Sequence, residues 1–308
     1  MKKLLGIILL GAFLLSSSLA QAATCFWVGG TGSIDDITHW SISTGGAGST
    51  CLAAGGWPNS TADSGTFDAS SGGGTITRNV AWTIGTLTTS AFTGTFGNAG
   101  DTATVNVNNF SNSGSGTRTV NLGASTWTCG SPGTTACTWG FTSATNLTFN
   151  ANTSTVVMGG STSGSYQIAN LGPTGITYNV ITFSPDQATG RGTLGSSSGT
   201  TNIATLNIGS PNEISNSNSN TWAVTTLNWT GGTPSLSSWV LMYSSAPGNQ
   251  MTIALTNASS CTFCAFREIN VTTSSITATD AINFGRNTNI NFTPPSGGGG
   301  GGGRIIGG

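Results

Sequence analysis

A short cassette, apolar–Asn–apolar behind a polar residue, recurs through the second half of the chain. It reads Thr205-Leu206-Asn207-Ile208, Thr226-Leu227-Asn228-Trp229, Glu268-Ile269-Asn270-Val271 and Asn289-Ile290-Asn291-Phe292. The leading apolar residues stand at 206, 227, 269 and 290, so the separations are one, two and one times a common step. A fixed step of this kind marks an architecture of stacked repeats, in which no single unit buries its own apolar face. The expectation is an all-β protein, a parallel β-solenoid with coils of about 21 residues. Looser copies lie upstream at Thr104-Val105-Asn106-Val107, Thr119-Val120-Asn121-Leu122, Asn146-Leu147-Thr148-Phe149 and Val180-Ile181-Thr182-Phe183. Their steps drift, from the short one between Val105 and Val120 to the long one between Leu147 and Ile181. Such drift predicts one superhelix with loops of varying length.

No stretch between 23 and 296 keeps apolar residues at helical spacing for more than a turn or two. Alternation such as Thr102-Ala103-Thr104-Val105-Asn106-Val107 recurs between Gly- and Ser-rich turns. A β-sandwich is the rival fold for such a pattern. It gives no reason for the same cassette to return in register. Coils of about 21 residues over 76–293 would make roughly ten rungs and a rod on the order of 50 Å long.

Residues 1–22 carry a basic start (Lys2, Lys3), an apolar run from Leu4 to Leu15 and an Ala20-Gln21-Ala22 cleavage pattern, the layout of a secretory signal peptide. The run is too short to span a bilayer, and the mature chain is expected to hold no transmembrane anchor. Without that segment six arginines face nine acidic residues, a net charge of −3. Nucleic acid is therefore not an expected partner. All six cysteines lie beyond the leader, as in an exported protein with disulfides. The expected pairs are Cys25 with Cys51 and Cys129 with Cys137; Cys261-Thr-Phe-Cys264 reads as a local bridge or two buried thiols, with a redox motif as the other reading.

The segment 23–75 is expected to cap the solenoid, because an open end would expose the core and a row of unpaired backbone groups. It contains Trp27-Val28-Gly29-Gly30, His39-Trp40, Trp57-Pro58, Asp63 and Phe67. This run resembles the Trp-x-Gly-Gly…Trp…Pro…Asp-x-x-x-Phe opening of autotransporter passenger regions and of β-helical proteins of tailed phages. The resemblance covers this opening segment directly, with only the general Thr/Asn/Gly strand texture behind it. It implies a right-handed parallel β-helix with an adhesive or structural role outside the cytoplasm, at a cell surface or on a virion. The chain holds no barrel-forming region, so release, attachment through partners or mounting on a larger particle is expected. The tail, Pro294-Pro295-Ser296 followed by seven glycines and Arg304-Ile305-Ile306-Gly307-Gly308, reads as a flexible tether. Docking of Arg304-Ile305-Ile306 on a neighbouring subunit's edge is the other reading of it.

Titratable groups are few. A Ser-His-Asp hydrolase would have to use His39, the single histidine, and zinc would lack ligands. No cofactor is expected. Polysaccharide cleavage by paired carboxylates is the enzymatic alternative, with Asp186, Glu213 and Glu268 as candidates. Calcium held by Asp63 and Asp68, or by Asp35 and Asp36, competes with ordinary turn roles. The cassette gives the stronger lead. If its apolar residues point inward, Asn207, Asn228, Asn270 and Asn291 form an outward ladder. That ladder either braces the stack or presents an uncharged surface to glycans, with Trp222 and Trp239 as stacking platforms. The expected function is a secreted, non-catalytic adhesin or fibre component that contacts glycans or cell-surface material, alone or in a homo-oligomer or larger assembly. An ice- or mineral-binding solenoid is a third reading.

Overall fold

The structure, a computed structural model, describes residues 22–293 apart from 47–49, 54, 131–136, 160–165, 171–174, 184–190, 195–198, 210–211, 217–219, 231 and 236–238. Residues 1–21, the tail 294–308 and Asp186 lie outside the described residues. The described chain is all-β, with short 3-10 turns and long parallel sheets.

Strands fall into three stacks that the chain visits in a fixed order. The first begins with Gly32–Ser33, Thr75–Thr77, Thr95–Phe96, Arg118–Asn121 and Leu147–Asn150, paired in parallel. It resumes in the leading halves of Thr177–Phe183, Gly199–Gly209 and Asn220–Thr230, then Met251–Leu255 and Ile269–Thr272. The second stack holds the leading parts of Trp82–Ser90 and Val105–Ser113, then Thr126–Cys129, Thr155–Met158 and the trailing halves of the three long strands. Ser259–Thr262, Ile276–Thr279 and Ile290–Thr293 form a further parallel trio. The third stack runs from Ser64–Phe67 through Cys137–Phe141, Val240–Ser244 and Cys264–Arg267 to Ile282–Asn283. The one antiparallel strand pair among the described residues is at the start, Thr24–Trp27 with Trp40–Ser41.

Alternation explains the burial. In the second stack Trp82, Val105, Trp127, Val156, Ile181, Leu206 and Leu227 lie one above another and are all buried. Each contributes roughly 1.5–3 kcal/mol by leaving water. Where a strand passes from one stack to the next, the alternation slips by one residue. Ala204 and Thr205 are both half-buried between inward Ile203 and Leu206, and Ile84 and Gly85 are both buried. Gly85 is required there, since a Cβ would sit 2.3 Å from the Thr61 carbonyl oxygen.

The expected step holds between some neighbouring passes and not between others. Leu206 does lie beside Leu227, one step of the repeat further on. Ile269 instead pairs with Met251 and Ile290 with Ile276, both closer in sequence than one step, while Thr221 pairs with the more distant Thr252. Successive passes differ in length because the corner loops differ, so equal spacing in sequence does not place the four cassettes in one file.

Three disulfides join Cys25 to Cys51, Cys129 to Cys137 and Cys261 to Cys264, with Cα separations of 5.5, 5.6 and 6.3 Å. Beneath the corners lie two buried arginines. Arg78 packs its guanidinium over Trp127 and Phe96, donates to the Asn121 and Leu122 carbonyls and pairs with Asp101 at 3.5 Å. Arg118 donates to Asn112 Oδ1 and to the carbonyls of Gly116, Ser143 and Thr145. No helix among the described residues is long and apolar enough to cross a membrane.

Candidate functional site

The outward positions of the second stack form a file that is polar except at Val157: Thr83, Asn106, Thr128, Val157, Thr182, Asn207 and Asn228. A parallel file two residues earlier carries Thr126, Thr155, Val180, Thr205 and Thr226. Amides brace the first file. Asn106 donates to Thr83 Oγ1 at 3.5 Å, Asn207 to Thr182 Oγ1 at 3.1 Å and Asn228 to Asn207 Oδ1 at 3.0 Å. No charged side chain stands in either file, so the face offers hydroxyls, amides and methyls only.

The other two asparagines stand elsewhere. Asn270 belongs to the first stack, beside Thr252 and Thr288, and Asn291 lies beside Thr277 at the end of the trio. A single four-asparagine ladder therefore does not form. Trp222 is buried, in register with Ile253 and Thr201, so it offers no exposed platform. Trp239 is half-buried with its ring 6.0 Å from Phe263.

The acidic candidates are scattered. Glu213 pairs with Leu241 on the third stack, and Leu241 with Ala265, so the strand before Glu268 is two rungs away. Glu268 is a buried corner residue at φ 59° that accepts from the Gly248 amide at 2.6 Å. Asp63 accepts from Ala23 N, Asn59 N and Ser60 Oγ. Asp68 caps the turn Ala69–Ser71 and Asp36 the turn Ile37–His39, where bonds from Thr38 hold the Asp36 carboxyl below its ordinary pKa. Asp35 accepts from Ser33. No group of three or more potential metal ligands occurs among the described residues. His39 stacks on Trp27 at 4.5 Å, and its Nδ1 donates to the Val28 carbonyl, which fixes the tautomer. These are turn and packing roles.

An open groove of about 320 Å3 lies where the first stack turns into the second. Leu147–Asn150 is the last strand of its five-stranded sheet, and the next rung, at Thr177, pairs only onward with Asn202. Leu147 and Phe149 are consequently half-buried, although the residues beneath them, Arg118 and Val120, are buried. The Phe149 ring forms an accessible floor, backed at 5.1 Å by buried Tyr178. Asn150, Asn152, Asn179 and Thr177 stand around it, and among the described residues no charged one lines it. Sequence reasoning missed this groove.

No known protein family, curated protein or solved structure matches the chain.

Proposed function

We propose that the chain is a secreted right-handed parallel β-helix that acts without catalysis, as an adhesin or as a fibre component of a cell surface or virion, and that it contacts glycans. The observation that carries this reading is the uncharged Thr/Asn face of the second stack, held in register over seven rungs from Thr83 to Asn228. Such a face suits a polymer that is itself uncharged, repeating and rich in hydroxyls, because a hydroxyl or an amide stands at every rung of the file except that of Val157. The ordered passage through three parallel stacks supports a solenoid, and three disulfides suit an oxidising compartment.

The test is incubation of the purified protein with dextran, mannan, galactan and chitin fragments, and with polygalacturonate as the acidic arm. Polymer retained on the protein and reducing or unsaturated ends released are measured together. Retention without release is expected. Release of new ends would overturn the non-catalytic reading, and retention of nothing would overturn the glycan reading.

A further inference from the structure

We infer that the groove beside Phe149 is an anchoring subsite for one ring of a neutral saccharide whose neighbouring rings lie along the Thr/Asn face; this rests on the glycan reading above. The position argues for it first. Ala151 and Asn152 follow the strand Leu147–Asn150 and precede Thr155, while Asn179 and Ala204 sit at the same corner one and two rungs on. The groove therefore opens directly onto the edge of the face that carries Thr155, Val180 and Thr205.

The lining has the chemistry of a sugar ring. A pyranose presents apolar C–H faces and a rim of hydroxyls, and it needs an aromatic floor with amides around it. Phe149 supplies the floor. The three amides are already oriented: Asn150 donates to Asn121 Oδ1 at 2.8 Å, Asn152 to the Asn150 carbonyl at 3.2 Å and Asn179 to the Ser154 carbonyl at 3.1 Å. With one N–H of each so fixed, each amide keeps a carbonyl oxygen and a second N–H for a ligand. Their ordering is complete before a ligand arrives, so less freedom is lost on binding. Tyr178 backs the floor from within the core, where its hydroxyl accepts from Trp139 Nε1 at 3.1 Å and is not a ligand contact. With no charged residue among the described residues of the lining, a uronate or phosphate group would lose its hydration without gaining a partner there. The volume suits one or two rings, near the lower end of the roughly 300–1,000 Å3 typical of small-ligand pockets.

Asn152 has φ 53°, a left-handed turn conformation that asparagine tolerates better than most side chains, and it places its amide at the groove mouth.

Two variants test the subsite. Ala204→Trp fills the groove, and Asn152→Gly removes one amide while easing the backbone. Both are titrated calorimetrically with short oligosaccharides cut from dextran, mannan, galactan and chitin and from polygalacturonate, with melting curves to confirm folding. The expected result is binding of at least one neutral series to the wild type, at least tenfold weaker in Ala204→Trp and severalfold weaker in Asn152→Gly, and no binding of the uronate series. Wild-type affinity in a folded Ala204→Trp protein that still retains polymer would overturn the subsite and leave the glycan reading standing. A wild type that retains no polymer would remove both.

Discussion

The side-chain amide of Asn228 donates to Oδ1 of Asn207 at 3.0 Å, one rung and 21 residues away. Because Asn207 in turn donates to Thr182 Oγ1, the three side chains form a hydrogen-bonded row along the stack. Asn228 is exposed, so water replaces most of what its loss removes. Asn228→Ala is expected to cost about 0.5 kcal/mol, a fall of about 1–2 °C in melting temperature. A fall several times larger would make the row a structural brace.

Arg78 has the opposite character. Its guanidinium carbon is 4.4 Å from the Trp127 ring centroid and the side chain is fully buried. Arg78→Ala leaves a cavity against Trp127 and strips a partner from the buried Asp101 carboxylate. A loss of about 3–5 kcal/mol is expected in denaturant unfolding. A loss below about 1 kcal/mol would show that the corner relaxes around the gap.

Tyr178 makes alkaline stability informative. Burial holds its phenol above the ordinary value, with the bond from Trp139 opposing. The unfolded phenol ionises near pH 10, so above that pH the native state keeps a proton that the unfolded state has lost, and stability falls as pH climbs. Arg78 acts in the other direction: burial, opposed by Asp101, lowers it to about 10, so above that pH the unfolded state, with its ordinary arginine, binds the extra proton. Tyr178→Phe is therefore expected to lose less melting temperature than wild type between about pH 9 and 11. Parallel curves would contradict the assignment.

The disulfides differ in the loop each closes. Cys25 and Cys51 are 26 residues apart, Cys261 and Cys264 only three. Chain entropy gives about 3.5 kcal/mol for the first and roughly half that for the second. Paired Cys→Ser variants compared by denaturant midpoint check the order, and a reversed order would contradict it.

Much of this was legible in the sequence, for local reasons. Two-residue alternation marked Leu206, Ile208 and Leu227 as inward and Asn207 and Asn228 as outward, and the short spacings of Cys129–Cys137 and Cys261–Cys264 pointed to their bridges. Register was not legible, because it depends on corner loops whose lengths obey no pattern. Ile269 thus kept the arithmetic of the repeat while pairing with Met251. Trp222 failed for the same reason: its place before the corner turns it inward. The groove depends on a missing pairing between rungs. Its one trace was the widest spacing between looser cassettes, from Leu147 to Ile181, which brackets it.

The measurement that bears most directly on the face of the second stack is the affinity of the Asn207→Ala/Asn228→Ala protein for whichever polysaccharide the wild type retains, read beside its melting curve. Affinity at least tenfold weaker, with a cooperative melt within a few degrees of wild type, is the predicted result. Unchanged affinity would contradict the account and leave these asparagines as bracing alone.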